Sequence, residues 1–313
     1  MRTAILGFLV LGSLGCPPPP VAPVATTAPL IEGDYAITVD GVPLAYHVHG
    51  RGPVCIVHPG GPGLEWSYLR MPEVERSMTL VYLEPPGTGA SPPLASPKDY
   101  TLARYAQLLD GVVVALGLPR ACVLGHSHGG MVAVTWAATY PGHVGGLILY
   151  DTAGRGDAET RKDQEAGAAA FAKEPWFAAA SAALARNAKV ATDAEADAVL
   201  RDEAPFLFAD WTHRQAELGA WLASVHAFAS PMRGTGEPPA SWDVRPKLSA
   251  VRAPTLVIVG AKDWLTPEHR ANELVQSIAG AQLLVLANSG HLGHVEEPAI
   301  FAAAIAELAR KLP

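Results

Sequence analysis

Cysteine is scarce in this sequence: three residues in 313, Cys16, Cys55 and Cys122, are too few for a disulfide framework. Cys55 and Cys122 sit in the apolar runs PVCIVH and RACVLGH, where a thiol reads as a small hydrophobe on a buried strand rather than a metal ligand. Basic residues are few as well. With 23 Lys and Arg against 30 Asp and Glu, the net charge is −7. That balance supplies no footprint for nucleic acid or for an anionic membrane surface. No apolar run is long enough to span a bilayer comfortably. What remains is a chain that is 49% hydrophobic and 17% charged, long enough for one large domain or a domain with an insertion.

The first 30 residues stand apart. Met1-Arg2 and the apolar run AILGFLVLGSLG read as an export signal, residues 1–16 in all. The run ends at Gly15-Cys16, which resembles a bacterial lipobox, although Ser13 stands where that motif has Leu. PPPPVAPVATTAP then supplies a semi-rigid tether over residues 17–30. Two outcomes stay open: a protein of the cell envelope anchored by lipid at Cys16, or a periplasmic or secreted one with an ordinary cleaved leader. Lipid on Cys16 would be the only link to a membrane.

From Asp34 onward short apolar runs alternate with amphipathic ones. YAITVDGVPLAYHVHG reads as a hairpin turning at Asp40-Gly41. PVCIVHP, MTLVYLEP, RACVLGH, GGLILYD, PTLVIVG and AQLLVLA read as strands, with helical patterns such as YTLARYAQLLDGVVVALG between them. Such alternation predicts an α/β domain with a mainly parallel sheet covered on both faces. It breaks over residues 154–245, an Ala-rich helical block that reads as a cap inserted into a core of residues 31–153 and 246–313. Its Gly- and Pro-rich exit is a natural hinge.

LGHSHGGM carries the strongest chemical signal. An apolar strand enters, a Gly-rich turn holds Ser127, and an apolar helix leaves, which is the setting of a nucleophile elbow. A serine hydroxyl needs a base that is itself oriented by an acid. Asp263 follows the strand PTLVIVG, and His291 follows the strand AQLLVLA. Asp151, at the end of GGLILYD, is the rival acid. His126 and His128 read as residues that shape the pocket or pack the elbow, His294 as packing or helix-capping, and His58 as loop support or pocket wall. Acyl transfer also needs two donors on the oxyanion. The N–H of His128 is one, and the loop CIVHPGGPG offers Gly61, with Gly60 as a neighbour that could serve instead.

HPGGPGLEWSYLRMP, LGHSHGG, LVIVGAKDWLTP and SGHLGHVEEP together resemble the α/β-hydrolase superfamily, and more narrowly its prolyl iminopeptidase-like serine hydrolases. Two motifs depart from that pattern. The family's His-Gly-Gly-Pro-Gly stands here as Pro59-Gly60-Gly61-Pro62-Gly63 with His58 one place early, and Glu84 stands where its D-x-x-G-x-G-x-S run has Asp. The resemblance implies Ser127, Asp263 and His291 as catalytic triad, no metal or organic cofactor, and release of an N-terminal residue, proline above all, from short peptides. An esterase or lactonase acting on a small molecule with the same triad is the alternative, and a slow-turnover ligand sensor a third reading. In prolyl iminopeptidases acidic cap residues hold the substrate's α-amine. Here Glu159, Glu165, Glu174, Glu203 and Glu217 are available, and the sequence does not choose among them. Trp176, Phe206, Phe208, Trp211 and Trp221 either line a pocket or pack the cap.

Overall fold

A computed structural model describes residues 30–234 and 241–312 of the chain. The export signal, Cys16 and all but the last residue of the tether lie outside them.

The chain starts with the hairpin β1 (Gly33–Val39) and β2 (Val42–Gly50). Asp40 and Gly41 both hold positive φ, 48° and 77°, the turn geometry whose twist matches that of paired strands. The strands β3 (Val54–His58), β4 (Thr79–Leu83), β5 (Ala121–His126) and β6 (Val144–Tyr150) follow. Between them run α1 (Pro72–Glu75), α2 (Leu102–Ala115) and α3 (His128–Thr139). The insertion opens with the two-residue strand β7 (Arg155–Gly156). It continues through α4 (Ala158–Ala169), α5 (Phe177–Leu184), α6 (Asp193–Glu203), α7 (Trp211–Leu222) and α8 (Ala229–Met232). β8 (Trp242–Asp243) closes it by pairing antiparallel with β7, so a short two-stranded neck gathers the ends of the helical block. β9 (Thr255–Gly260), α9 (Glu268–Ser277), β10 (Gln282–Leu286), α10 (Gly293–Glu296) and α11 (Pro298–Ala309) complete the chain.

Eight strands form one sheet in the order β1-β2-β4-β3-β5-β6-β9-β10. It is parallel from β4 to β10 and antiparallel at β1 and β2. The expected strands are all present, and the sheet is covered on both faces. β5 shows how the sequence achieves this. Cys122 and Leu124 pack into the core on one face, and Ala121 and Val123 into the core on the other. Period-2 alternation of wholly apolar residues is what a strand buried on both sides requires. α2 buries Leu102, Tyr105, Ala106, Leu109, Val112 and Val113 at helical spacing. Its Thr101 cap accepts the Arg104 N–H at 3.1 Å. Cys55 and Cys122 face one another across β3 and β5 as free buried thiols.

Candidate active site

β5 ends at His126 and α3 begins at His128, so Ser127 alone makes the turn. Its φ of 53° and ψ of −120° lie outside the regions favoured by L-residues, a strain of about 1–3 kcal/mol. The surroundings hold it there. The Ser127 N–H donates to the Tyr150 carbonyl at 2.9 Å, and Thr152 Oγ1 donates to the Ser127 carbonyl at 2.8 Å. Gly129 lets the helix start against the preceding loop, since a Cβ there would meet the His58 carbonyl oxygen at 2.2 Å. Ser127 is thereby fixed at the C-terminal edge of the sheet, on the floor of a cavity.

Asp263 and His291 come from the loops after β9 and β10, and both are buried. His291 Nδ1 donates to Asp263 Oδ2 at 2.8 Å. Asp263 also accepts from Thr266 Oγ1 at 2.6 Å and from the N–H groups of Leu265 and Thr266. Burial by itself would raise the Asp263 pKa. The neighbouring His291 and these hydrogen bonds outweigh it and hold the carboxyl below its ordinary value. The carboxylate fixes the ring's tautomer and leaves Nε2 for proton exchange. Ser127 and His291 line the same cavity.

A chain of buried hydrogen bonds underlies this centre. The Gly60 N–H donates to Tyr68 Oη at 2.7 Å, and Tyr68 Oη lies 2.7 Å from His126 Nδ1. His126 Nε2 lies 2.9 Å from the His291 carbonyl oxygen. A carbonyl only accepts, so Nε2 carries the proton, Nδ1 is the acceptor and the Tyr68 hydroxyl donates. Burial, with His291 and His294 nearby, drives the His126 pKa well below the usual imidazole value, in keeping with a neutral ring. His126 thus ties the Gly-rich loop to the loop bearing His291. Gly60 has its N–H occupied, whereas the Gly61 N–H has no acceptor among the described residues and Gly61 lines the cavity. His128 opens α3, where backbone N–H groups point out of the helix end.

His294 and His58 are held by hydrogen bonds of their own. His294 joins the Tyr68 carbonyl at 2.7 Å to the Tyr150 hydroxyl at 3.0 Å. His58 turns onto the Pro59 carbonyl. Glu84 is away from the cavity, held by His47 at 2.8 Å and by the Ala90 N–H. Asp151 follows β6, lies at 0% exposure and accepts the Gly260 N–H at 2.8 Å.

The helical block roofs a cavity of about 480 Å³, ample for a small organic substrate. Leu200, Leu207, Trp221, Leu222 and Val225 give it an apolar lining. Of the five cap aromatics only Trp221 lines it. Phe206 packs among Phe171, Trp176, Phe177 and Trp264, and Phe208 against Trp211. Of the five cap glutamates only Glu203 lines it. Asn187 Nδ2 donates to Glu203 Oε2, while Asn187 Oδ1 is buried with no partner among the described residues. Burial raises the Glu203 pKa to about 7, against the lowering pull of Asn187 and Arg186. Glu296 straps the roof to the floor. Its carboxylate accepts the N–H of Ala209 in the cap at 2.9 Å and that of Gly290, beside His291, at 2.7 Å. Nothing in the sequence marked Tyr68, Asn187 or Glu296, because their partners are distant in the chain.

A strained serine at a strand–helix turn, sharing a cavity with an imidazole braced by a buried carboxylate, suits nucleophilic hydrolysis. Residues 53–298 match the family model of the alpha/beta hydrolase fold, and the chain belongs to that family of hydrolases. It is 29% identical over 263 residues to a 2-hydroxy-6-oxo-6-phenylhexa-2,4-dienoate hydrolase of Comamonas testosteroni, an alignment covering 80% of this chain and 86% of the relative. It is 26% identical over 272 residues to the proline iminopeptidase PfmaB of Pestalotiopsis fici, covering 83% and 94%. Among solved structures, a proline iminopeptidase of Mycobacterium smegmatis superposes with a TM-score of 0.64 at 24% identity, covering 89% of this chain and 98% of that one. The superposition speaks for the fold alone.

Proposed function

We propose that the protein is a serine hydrolase working through an acyl-enzyme, and that it acts as an aminopeptidase releasing an N-terminal residue, proline above all, from short peptides. His291 Nε2 takes the proton of Ser127 Oγ as that oxygen attacks the scissile carbonyl. Asp263 holds the ring and stabilises the imidazolium. The N–H groups of His128 and Gly61 receive the oxyanion. His291 then protonates the leaving amine, and a water deprotonated by His291 releases the acid from Ser127.

The observation that carries the aminopeptidase reading is the pair Glu203 and Asn187. A carboxyl and an orphaned amide oxygen, joined to one another and set among Leu184, Leu200 and Leu207 in a cavity that Arg233 also lines, are two acceptors awaiting a donor. An ammonium group brings three donors and the complementary charge. The alternative, an ester or lactone substrate, needs only the apolar lining and leaves both acceptors unused. Export of the chain and a lipid anchor at Cys16 complete the proposal, placing the domain on a tether at the cell envelope.

The test compares kcat/KM of the full-length protein on proline p-nitroanilide, its N-acetyl derivative and p-nitrophenyl butyrate, with Ser127→Ala as control. The proposal expects cleavage of the free-amine anilide, abolished by acetylation and by Ser127→Ala. Cleavage of the butyrate alone would transfer the protein to the ester reading.

A further inference from the structure

Ser127 is one of three non-glycine residues held at positive φ among the described residues, with Asp40 of the hairpin turn. The third is Asp151, at 43°, directly after the neighbouring strand β6. Its N–H donates to the Ile258 carbonyl at 2.9 Å, and its Oδ1 accepts the Gly260 N–H at 2.8 Å. Its Oδ2 is buried and accepts no hydrogen bond from any donor among the described residues; the side chain within hydrogen-bonding reach of the Asp151 carboxyl is that of Asp263, itself an acceptor unless one of the two carries a proton. The Asp151 carboxyl and the ring nitrogens of His126 and His291 lie within 4.8 Å of one another. This cluster is not built for a metal, because both nitrogens of His126 are engaged by Tyr68 and the His291 carbonyl.

Two carboxyls therefore flank His291, in unequal surroundings. Asp263 accepts four hydrogen bonds, and Asp151 accepts only the one from Gly260. Burial and then the Asp263 charge push the Asp151 pKa well above the ordinary value, while Asp263 is held below its own. Paired carboxyls driven apart in this way take different protonation states.

We propose that Asp151 is a second carboxyl of the catalytic centre: a neutral acid that positions Asp263 by offering it the Oδ2 proton, and that supplies a carboxylate to His291 when Asp263 is lost. The inference rests on the reading of Ser127, His291 and Asp263 as the catalytic set. The groups facing Asp151 are Tyr150 from its own strand, His126 from β5, Asp263 and His291 from the loops after β9 and β10, and Glu296 from α10.

The test measures kcat in the full-length protein for Ser127→Ala, Asp263→Asn, Asp151→Asn and the double variant, across pH and with thermal unfolding of each. Asparagine tolerates positive φ, so Asp151→Asn is compatible with the backbone. Loss of the acid in a serine protease triad costs roughly ten-thousandfold; here Asp263→Asn is expected to lose only about a hundredfold, because Asp151 steps in. Its rate rises with pH as Asp151, freed of its charged neighbour, ionises. Adding Asp151→Asn removes that rise and costs at least about tenfold more than the same change in the wild-type background. Equal effects in the two backgrounds would show a merely structural residue and overturn the inference. So would an Asp263→Asn variant as inert as Ser127→Ala, or one whose rate is flat with pH; this last arm holds even if Asp151→Asn fails to fold. Activity surviving in Ser127→Ala would overturn the catalytic reading itself, and this inference with it.

Discussion

Tyr68→Phe removes one oxygen and tests how the two halves of the centre are joined. In the native chain that oxygen accepts from the Gly60 N–H and donates to His126 Nδ1, both at 2.7 Å and both buried. The ring of phenylalanine fills the same space, so no cavity opens and the loss is polar. Two buried groups are left without partners, each at about 1–3 kcal/mol. Tyr68 borders the cavity, so water there replaces part of the bond, and the low half of the range applies: about 2–4 kcal/mol in all. For a domain of this size that is a fall in Tm of roughly 5–10 °C. The centre should suffer as well, since Gly60 precedes the proposed oxyanion donor and His126 supports the His291 carbonyl. A drop in kcat of about tenfold is expected, with KM little changed. Urea unfolding followed by fluorescence gives the first number, and steady-state kinetics the second. A variant within about 0.5 kcal/mol of wild type with unaltered kcat would refute the idea that this hydrogen-bond chain braces the site.

Other expectations follow from the buried glutamates. With its pKa raised to about 7, Glu203 gains charge as pH rises through neutrality, so kcat/KM on a free-amine substrate should climb across that range. Glu203→Gln should abolish the climb and raise KM about tenfold or more, while leaving a neutral ester substrate unaffected; equal losses on both would argue against amine recognition. Glu296, whose pKa burial also raises to about 7, retains in the folded state a proton that the unfolded chain releases near 4.5. Its contribution to stability is thus present below about pH 4.5 and is lost as pH rises towards 7. Glu296→Gln should flatten the pH dependence of the unfolding free energy from urea titrations by up to about 3 kcal/mol, and an unchanged slope would count against it.

The sheet was legible because its strands announce themselves locally. Six are apolar runs bounded by turns, and Asp40-Gly41 names its own hairpin. The elbow was legible for the same reason, since strand, glycines and helix are contiguous around Ser127. What sequence could not supply depends on contacts far apart in the chain. β7 and β8 are two residues each, too short to carry a period, yet they gather the neck of the insertion. The five cap glutamates look alike in sequence, and only the fold turns Glu203 inward beside Asn187. The proposal of Gly61 over Gly60 rests on Tyr68, which occupies the Gly60 N–H. Asp151 and Asp263 both follow strands, as the spacing suggested. Their inequality appears only when the hydrogen bonds to each are counted.

The central claim is that Ser127 is the nucleophile and His291 its base. The most direct measurement is to treat the full-length protein with a fluorophosphonate and locate the adduct by mass spectrometry of its peptides. The account predicts one covalent phosphonyl group on Ser127, formed in step with loss of hydrolysis, absent from Ser127→Ala and strongly slowed in His291→Ala. Inactivation with the label on another residue, or full hydrolysis by a protein that never becomes labelled at Ser127, would contradict it.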